Sequence, residues 1–192
     1  MIVEALASVA GDLPGPLLTE LAALYASDEE FERLGGDPGA HGGIGPRAVA
    51  AALADELAHP GAEVLLARSA GELVAFAVVL PHHPGVPATG VAARQTPDAG
   101  PGTAGDPDPW IGLLVVHAER RRAGHGRRLA GAAEARLRDA GRAAVRVAVP
   151  EHGTRALAFW TALGYTEIER GPDARVLRKE LPDATGRRAA RR

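Results

Sequence analysis

The chain has 192 residues, 46% of them hydrophobic and 24% charged, with a formal net charge of −2 and no cysteine. This length and apolar share suit one globular domain, and the missing cysteines exclude disulfides, thiolate metal sites and a cysteine nucleophile, in keeping with a reducing compartment. No apolar run is long enough to span a bilayer, and the opening MIVEALASVAGDLPG carries acids where a leader peptide carries bases, so a cytoplasmic protein is expected.

Lys179 is the only lysine beside 21 arginines, and asparagine is absent, the bias of a G+C-rich, bacterial-type coding sequence. The charge is uneven. Residues 1–60 hold ten acids against Arg33 and Arg47, about −8, and the remainder holds fourteen acids against twenty bases, about +6. Such a split fits either two solvated surfaces or two ligands of different charge.

Leu17, Leu18, Leu21, Leu24 and Tyr25 recur at helical spacing, as do Val49, Ala50, Leu53 and Leu57 after Pro46, which predicts two amphipathic helices. The glycine-rich stretch between them carries Asp28, Glu29, Glu30 and Glu32. Residues 63–80 read as two strands joined at Ser69-Ala70-Gly71. Residues 81–109 hold seven prolines and five glycines and predict a long flexible loop. WIGLLVV, 110–116, is the continuous apolar run of a strand covered on both faces. A helix follows from about Gly124 to Ala140, with Leu129, Ala130, Ala133 and Leu137 on one stripe, ended by Gly141. VRVAV, 145–149, predicts a strand parallel to 110–116. Ala156, Phe159, Trp160 and Leu163 then mark a short helix stopped by Gly164. YTEIE and ARVLRKEL flank Gly171-Pro172 as a closing hairpin. One domain over residues 1–181 is expected, followed by a basic tail over 182–192 that ends in RRAARR and frays.

The stretch RRRAGHGRR, 120–128, sets two glycines among five arginines at the mouth of the predicted helix. The first four amides of a helix have no internal acceptor and the helix dipole is positive there, so the site suits phosphate oxygens. The carrier of that phosphate is open on these grounds: a nucleoside triphosphate, a dinucleotide or coenzyme A. A P-loop needs Gly-Lys-Ser/Thr, which is missing. A dinucleotide turn follows its strand directly, whereas seven residues separate Val116 from Gly124 and Leu129 stands where the third glycine belongs.

The pattern R-x-x-G-x-G, formed by Arg121, Gly124 and Gly126 after an apolar strand, resembles the acetyl-CoA motif of the GNAT superfamily of N-acetyltransferases. ALAFWTALGY, 156–165, is similar to the aromatic helix and Gly-aromatic ending that follow in that family, and the resemblance spans about residues 63–181. It implies a central mixed, mostly antiparallel sheet flanked by helices (an α/β, or α+β, fold) in which the fourth strand splays from its parallel neighbour, the fifth. It also implies acetyl-CoA as co-substrate, without a metal. Leu114, Val115 and Val116 would offer a backbone edge to the pantetheine, with the Leu114 amide facing the thioester oxygen as an oxyanion donor. Arg122, Ala123, Gly124, His125, Gly126 and Arg127 would give amides to the pyrophosphate, Arg127 or Arg128 would reach the 3′-phosphate, and Ala156, Phe159 and Trp160 would flank the far side. The chain departs from the family where Trp160 replaces a tyrosine that protonates the thiolate in many relatives, since indole is no general acid. His152 and Gly153 stand where the family has an asparagine; Gly153 is retained in the cofactor-binding set.

The acceptor amine must lose a proton, and a histidine suits that task. His117, just past the strand, is the first candidate, followed by Glu119 and the pair His82 and His83. No third ligand is spaced to make the histidine pair a metal site. The expected function is direct transfer of acetyl from acetyl-CoA to a primary amine of a small molecule or protein, the acids at 28–32 favouring a cationic acceptor. The rivals are a non-catalytic acyl-CoA sensor and, less favoured, a Rossmann-type nucleotide binder. Membrane association is not expected, nucleic-acid contact through RRAARR is disfavoured, and a homodimer is left open.

Overall fold

The computed structural model describes residues 1–7, 13–27, 46–59, 61–81 and 108–182. Asp28, Glu29, Glu30, Glu32, His82, His83, all but the ends of the 81–109 segment and all but the start of the 182–192 tail lie outside the described residues. The elements run β1 (Ile2–Ala7), α1 (Gly15–Ala26), α2 (Pro46–Leu57), β2 (Glu63–Ser69), β3 (Glu72–Leu80), β4 (Trp110–Val116), a 3₁₀ turn (Ala118–Arg120), α3 (His125–Asp139), β5 (Ala144–Pro150), α4 (Thr154–Ala162), β6 (Thr166–Arg170) and β7 (Ala174–Glu180). They build one seven-stranded sheet in the order β1-β2-β3-β4-β5-β7-β6, antiparallel throughout except for the parallel pair β4–β5.

The predicted elements are all present, and each has a local cause. The β2–β3 turn places Ala70 and Gly71 at φ 52° and 86°, the left-handed pair that lets two residues close a hairpin without splaying it. Helix α3 ends at Asp139 and the chain turns at Gly141, φ 76°, where a residue with a β-carbon would be strained. Two features escape the sequence pattern. β1 forms an edge of the sheet beside β2, and β7, though later in sequence than β6, lies between β5 and β6.

Both faces of the sheet are covered, each by one helix pair. On one face α3 and α4 set Leu129, Ala133, Leu137 and Trp160 against Val145, Val147, Val149 and Leu177. On the other, α1 and α2 set Leu21, Leu24, Tyr25, Val49 and Leu53 against Val64, Phe76, Val78 and Val115. Because strand side chains alternate, β4 serves both layers: Leu114 and Val116 pack toward α3, Leu113 and Val115 toward α1 and α2. Phe76 has no exposed surface and meets Tyr25 edge to face with ring centroids 5.4 Å apart. Replacing it with alanine removes a fully buried ring from the second layer. Phe76→Ala is expected to lower the unfolding free energy by about 3–5 kcal/mol, read as a lower midpoint at unchanged slope in urea denaturation.

Candidate active site

Strands β4 and β5 start together and then part. Their only ladder pair is Trp110 with Arg146, supported by a 2.9 Å bond from the Arg146 amide to the Pro109 carbonyl. Beyond it, β4 keeps its pairing with β3 through Val116 while β5 is held by β7 over its whole length. The register of β4 against β3 slips between Val78 and Val79, so that Gly112 is an extra residue opposite no partner. Such a bulge bends a strand and switches which way its amides point. Pro109 aims its carbonyl at β5, whereas the His117 amide donates to Val74 on β3, 2.9 Å away. Alternation back from His117 turns the amides of Leu114 and Val116 toward the open β5 side. A backbone edge whose donors and acceptors are unused among the described residues therefore lines one wall of a cleft.

At the mouth of that cleft the chain makes the 3₁₀ turn and enters α3. Arg122 and Gly124 both sit in the left-handed region, at φ 62° and 81°. The first helical bond runs from the Arg128 amide to the Gly124 carbonyl, 3.0 Å, and no side chain caps the helix. The amides of Arg122, Ala123, Gly124, His125, Gly126 and Arg127 accordingly have no acceptor among the described residues. Alternating left- and right-handed residues turn successive N–H groups into one concavity, a geometry suited to anions. A β-carbon at Gly124 would meet nothing within 4 Å, so the concavity is open to solvent. Gly126 is different: a β-carbon there would lie 3.3 Å from the Phe159 ring and 3.3 Å from Val116, so glycine is what lets α3 close on α4 and β4. Arg122, Arg127 and Arg128 are exposed and form no ion pair among the described residues, while Arg120 pairs with Glu72 at 2.9 Å.

The structure thus brings the backbones of Leu114 and Val116 and the 122–128 turn to one cleft, with Arg121 on its approach, φ −63° and ψ 160°, whereas Val115, expected on the same edge, faces Phe76 of β3 and packs toward α1 and α2. Other predicted residues are placed differently. The His125 side chain turns inward, its Nδ1 3.3 Å from Met1 Sδ, leaving only its backbone at the mouth. Phe159 reaches Gly126, but Trp160 is 6% exposed in the α3–α4 core, edge to face with Phe159 and Tyr165. Ala156 is half-buried and packs against the same core. The Gly153 amide donates to Pro150 at 2.8 Å and its carbonyl accepts from Leu157 at 2.9 Å, so both polar groups are committed within the chain. Glu119 is exposed.

His117 continues β4 on the side of α1 and α2, and its Nδ1 is buried with no hydrogen-bond partner among the described residues. The next amide, Ala118, donates to Ser27 Oγ at 3.0 Å, and Ser27 in turn donates to Leu24 at 2.7 Å, tying the end of β4 to the end of α1. Sequence reading missed this link because Ser27 and Ala118 are far apart in the chain. Neither tyrosine is free at the cleft. Tyr25 is buried against Phe76, and the Tyr165 hydroxyl donates to the buried Glu134 at 3.2 Å, while Lys179 bonds the other oxygen of Glu134 at 2.6 Å. Burial first, and the Glu134 carboxylate second, push the Tyr165 phenol far above its usual value. Among the described residues no group of three or more His, Asp or Glu is arranged to hold a metal, and no helix is long and apolar enough to cross a membrane.

Comparison with known proteins decides what this arrangement is. The Acetyltransferase (GNAT) family matches residues 24–165. The chain belongs to the GNAT acetyltransferase family and is an acyltransferase. Solved structures of this family share its fold. An acetyltransferase from Thermus thermophilus is 17% identical with a TM-score of 0.66, over 94% of this chain and 98% of that one. An aminoglycoside 6′-acetyltransferase type Ii is 16% identical with a TM-score of 0.60, over 94% and 97%. The PaiA N-acetyltransferase from Thermoplasma acidophilum, solved with coenzyme A, is 15% identical with a TM-score of 0.58, over 94% and 99%. A comparison with curated proteins finds no match.

The Tyr165 phenol gives a pH signature to this GNAT core. A tyrosine in the unfolded chain ionises near pH 10, about where model tyrosines do, and the folded protein holds the proton to higher pH. Above about pH 10 the unfolded state therefore binds fewer protons, and stability falls by about 1.4 kcal/mol per pH unit from this group. Tyr165→Phe is expected to flatten that alkaline decline, measured as unfolding free energy between pH 9 and pH 11, while losing some stability at pH 7 with the bond to Glu134.

Proposed function

We propose that this GNAT protein transfers acetyl from acetyl-CoA directly to a primary amine of a small molecule or a protein, without a covalent enzyme intermediate. The observation that carries the proposal is the cleft itself: a β4 edge unpaired among the described residues, leading to six amides without acceptors among them, flanked by exposed arginines. These groups fit a ligand with a pyrophosphate at one end and an extended, amide-bearing arm at the other. Hydrogen bonds to a charged acceptor contribute about 1.5–3 kcal/mol each, so several in one concavity suffice to anchor a diphosphate. Acetyl-CoA supplies an activated thioester carbonyl.

Each residue then has a distinct task. The amides of Arg122 to Arg127 hold the diphosphate, and Arg127 or Arg128 reaches the 3′-phosphate. Leu114 and Val116 pair with the arm, and the Leu114 amide stabilises charge on the carbonyl oxygen. His117 lies on the α1–α2 side, where the acceptor approaches, and its imidazole takes the ammonium proton before attack. With both tyrosines buried, thiolate departure proceeds without a tyrosine acid: a thiolate is a far weaker base than an amide anion, which makes it a tolerable leaving group unaided. The acids Asp28, Glu29, Glu30 and Glu32 favour a cationic acceptor.

Calorimetric titration tests the donor site. Wild type is expected to bind acetyl-CoA, and Gly124→Glu, which adds a carboxylate and strains the left-handed turn, is expected to lose binding by at least about a hundredfold. Equal binding by the two proteins removes the donor assignment. In a screen of amines followed by release of free thiol, His117→Ala is expected to lower turnover about a hundredfold at neutral pH with acetyl-CoA affinity retained. Absence of turnover with every amine, given tight acetyl-CoA binding, favours a non-catalytic sensor.

A further inference from the structure

Arg146 on β5 and Arg178 on β7 are directly opposite each other in the ladder, on the sheet face away from α3. Two like charges in facing positions oppose pairing. Their arrangement has a reason: both point their Nε at one oxygen of Asp108, Oδ2, at 3.1 Å from Arg146 and 2.7 Å from Arg178. The Asp108 side chain is only 13% exposed, and those of the two arginines are 23% and 29%. Asp108 stands two residues before β4, at the end where β4 and β5 touch.

This position matters because the ladder of the sheet is nearly interrupted between β4 and β5. β1 to β4 form one part, and β5, β7 and β6 the other; each is knit by continuous antiparallel ladders. Both parts share the apolar layer under α3, and in the plane of the sheet the described residues join them by one ladder pair, the Arg146 to Pro109 bond and the Asp108 carboxylate. We infer that Asp108 is a positioning residue for acetyl-CoA: by drawing the β5–β7 part to the foot of β4 it fixes the angle at which the two strands diverge, and so the width of the slot for the pantetheine arm. The inference rests on the donor site proposed above. The 122–127 cradle follows the opposite end of β4, where Gly126 lies against Val116 and Phe159, so its amides are away from this clasp.

The separation of cradle and slot supplies the test. Asp108→Asn keeps the shape and an acceptor oxygen but removes the charge that the two guanidinium groups share, while Arg178 keeps Glu180 at 3.7 Å. Affinities for acetyl-CoA and for 3′-phosphoadenosine 5′-diphosphate, which has the phosphates and lacks the arm, are measured by calorimetry on wild type and variant. Asp108→Asn is expected to weaken acetyl-CoA about tenfold and to leave the nucleotide within about twofold. A purely structural role changes both affinities equally or neither, and either result overturns the inference. If Asp108→Asn does not fold, Arg178→Gln, which leaves the Asp108 to Arg146 bond, is put through the same two titrations with the same criterion, and Arg178→Lys is expected to recover part of the loss. Wild type that binds neither ligand overturns the donor site, and this positioning role with it; wild type that binds both, with variants that do not discriminate, overturns the positioning role alone.

Discussion

The separation of β4 from β5 is the constraint on which the rest of this structure depends. A buried backbone group has to find a partner, and continuous sheets meet that need by pairing every strand. Here the ladder between two neighbouring strands stops after Trp110 and Arg146. The strand edge so exposed lies between two covered layers and has the form of an unfilled place in the ladder among the described residues. The bulge at Gly112 makes the arrangement possible, since it bends β4 and turns the Leu114 and Val116 amides outward from the β3 ladder.

The phosphate end of the site depends on backbone held in uncommon conformations. Arg122 has a positive φ, costly by about 1–2 kcal/mol for a residue with a β-carbon, and Gly124 has one at little cost. That strain persists because the surroundings fix both ends of the turn: the Ala118 amide on Ser27, Arg120 on Glu72, and Gly126 wedged between Phe159 and Val116. Behind Phe159, the edge-to-face rings of Trp160 and Tyr165 and the Tyr165–Glu134–Lys179 bonds lock α4 to α3 and β7. The aromatic residues of this helix therefore divide their work. Phe159 forms the back of the glycine turn, and Trp160 carries the packing that keeps it there.

Much of this was legible in the sequence, for local reasons. The apolar run at 110–116, the glycine spacing at 124 and 126, the Ala70-Gly71 turn and the Gly141 and Gly164 stops each report a backbone requirement met by a few adjacent residues. What escaped depends on partners distant in the chain. Ile2–Ala7 is a short edge strand whose side chains are mostly exposed, so it lacks a clear period-2 pattern. A bulge at Gly112 is visible only against the register of β3. The carboxylate at 108 looks like one more polar residue in a proline-rich stretch until Arg146 and Arg178 are brought beside it. Trp160 and Phe159 are alike in composition, and only packing distinguishes the one in the core from the one at the turn. The family motif located the cleft because it encodes backbone geometry; side chains at its rim such as His117 are single residues and leave no spacing to read.

A second concavity, about 360 Å³ and lined in part by Glu63, Arg136, Asp139 and Arg142, lies at the opposite end of α3 from the glycine turn. Amide hydrogen exchange with and without acetyl-CoA distinguishes the two places directly. Binding in the β4–β5 cleft predicts slowed exchange at Leu114, Val116 and the amides of Arg122 through Arg127, with β2 and β7 unchanged. Protection confined to the far end of α3, or spread evenly over the chain with none at β4, would contradict the assignment of the cleft as the acetyl-CoA site.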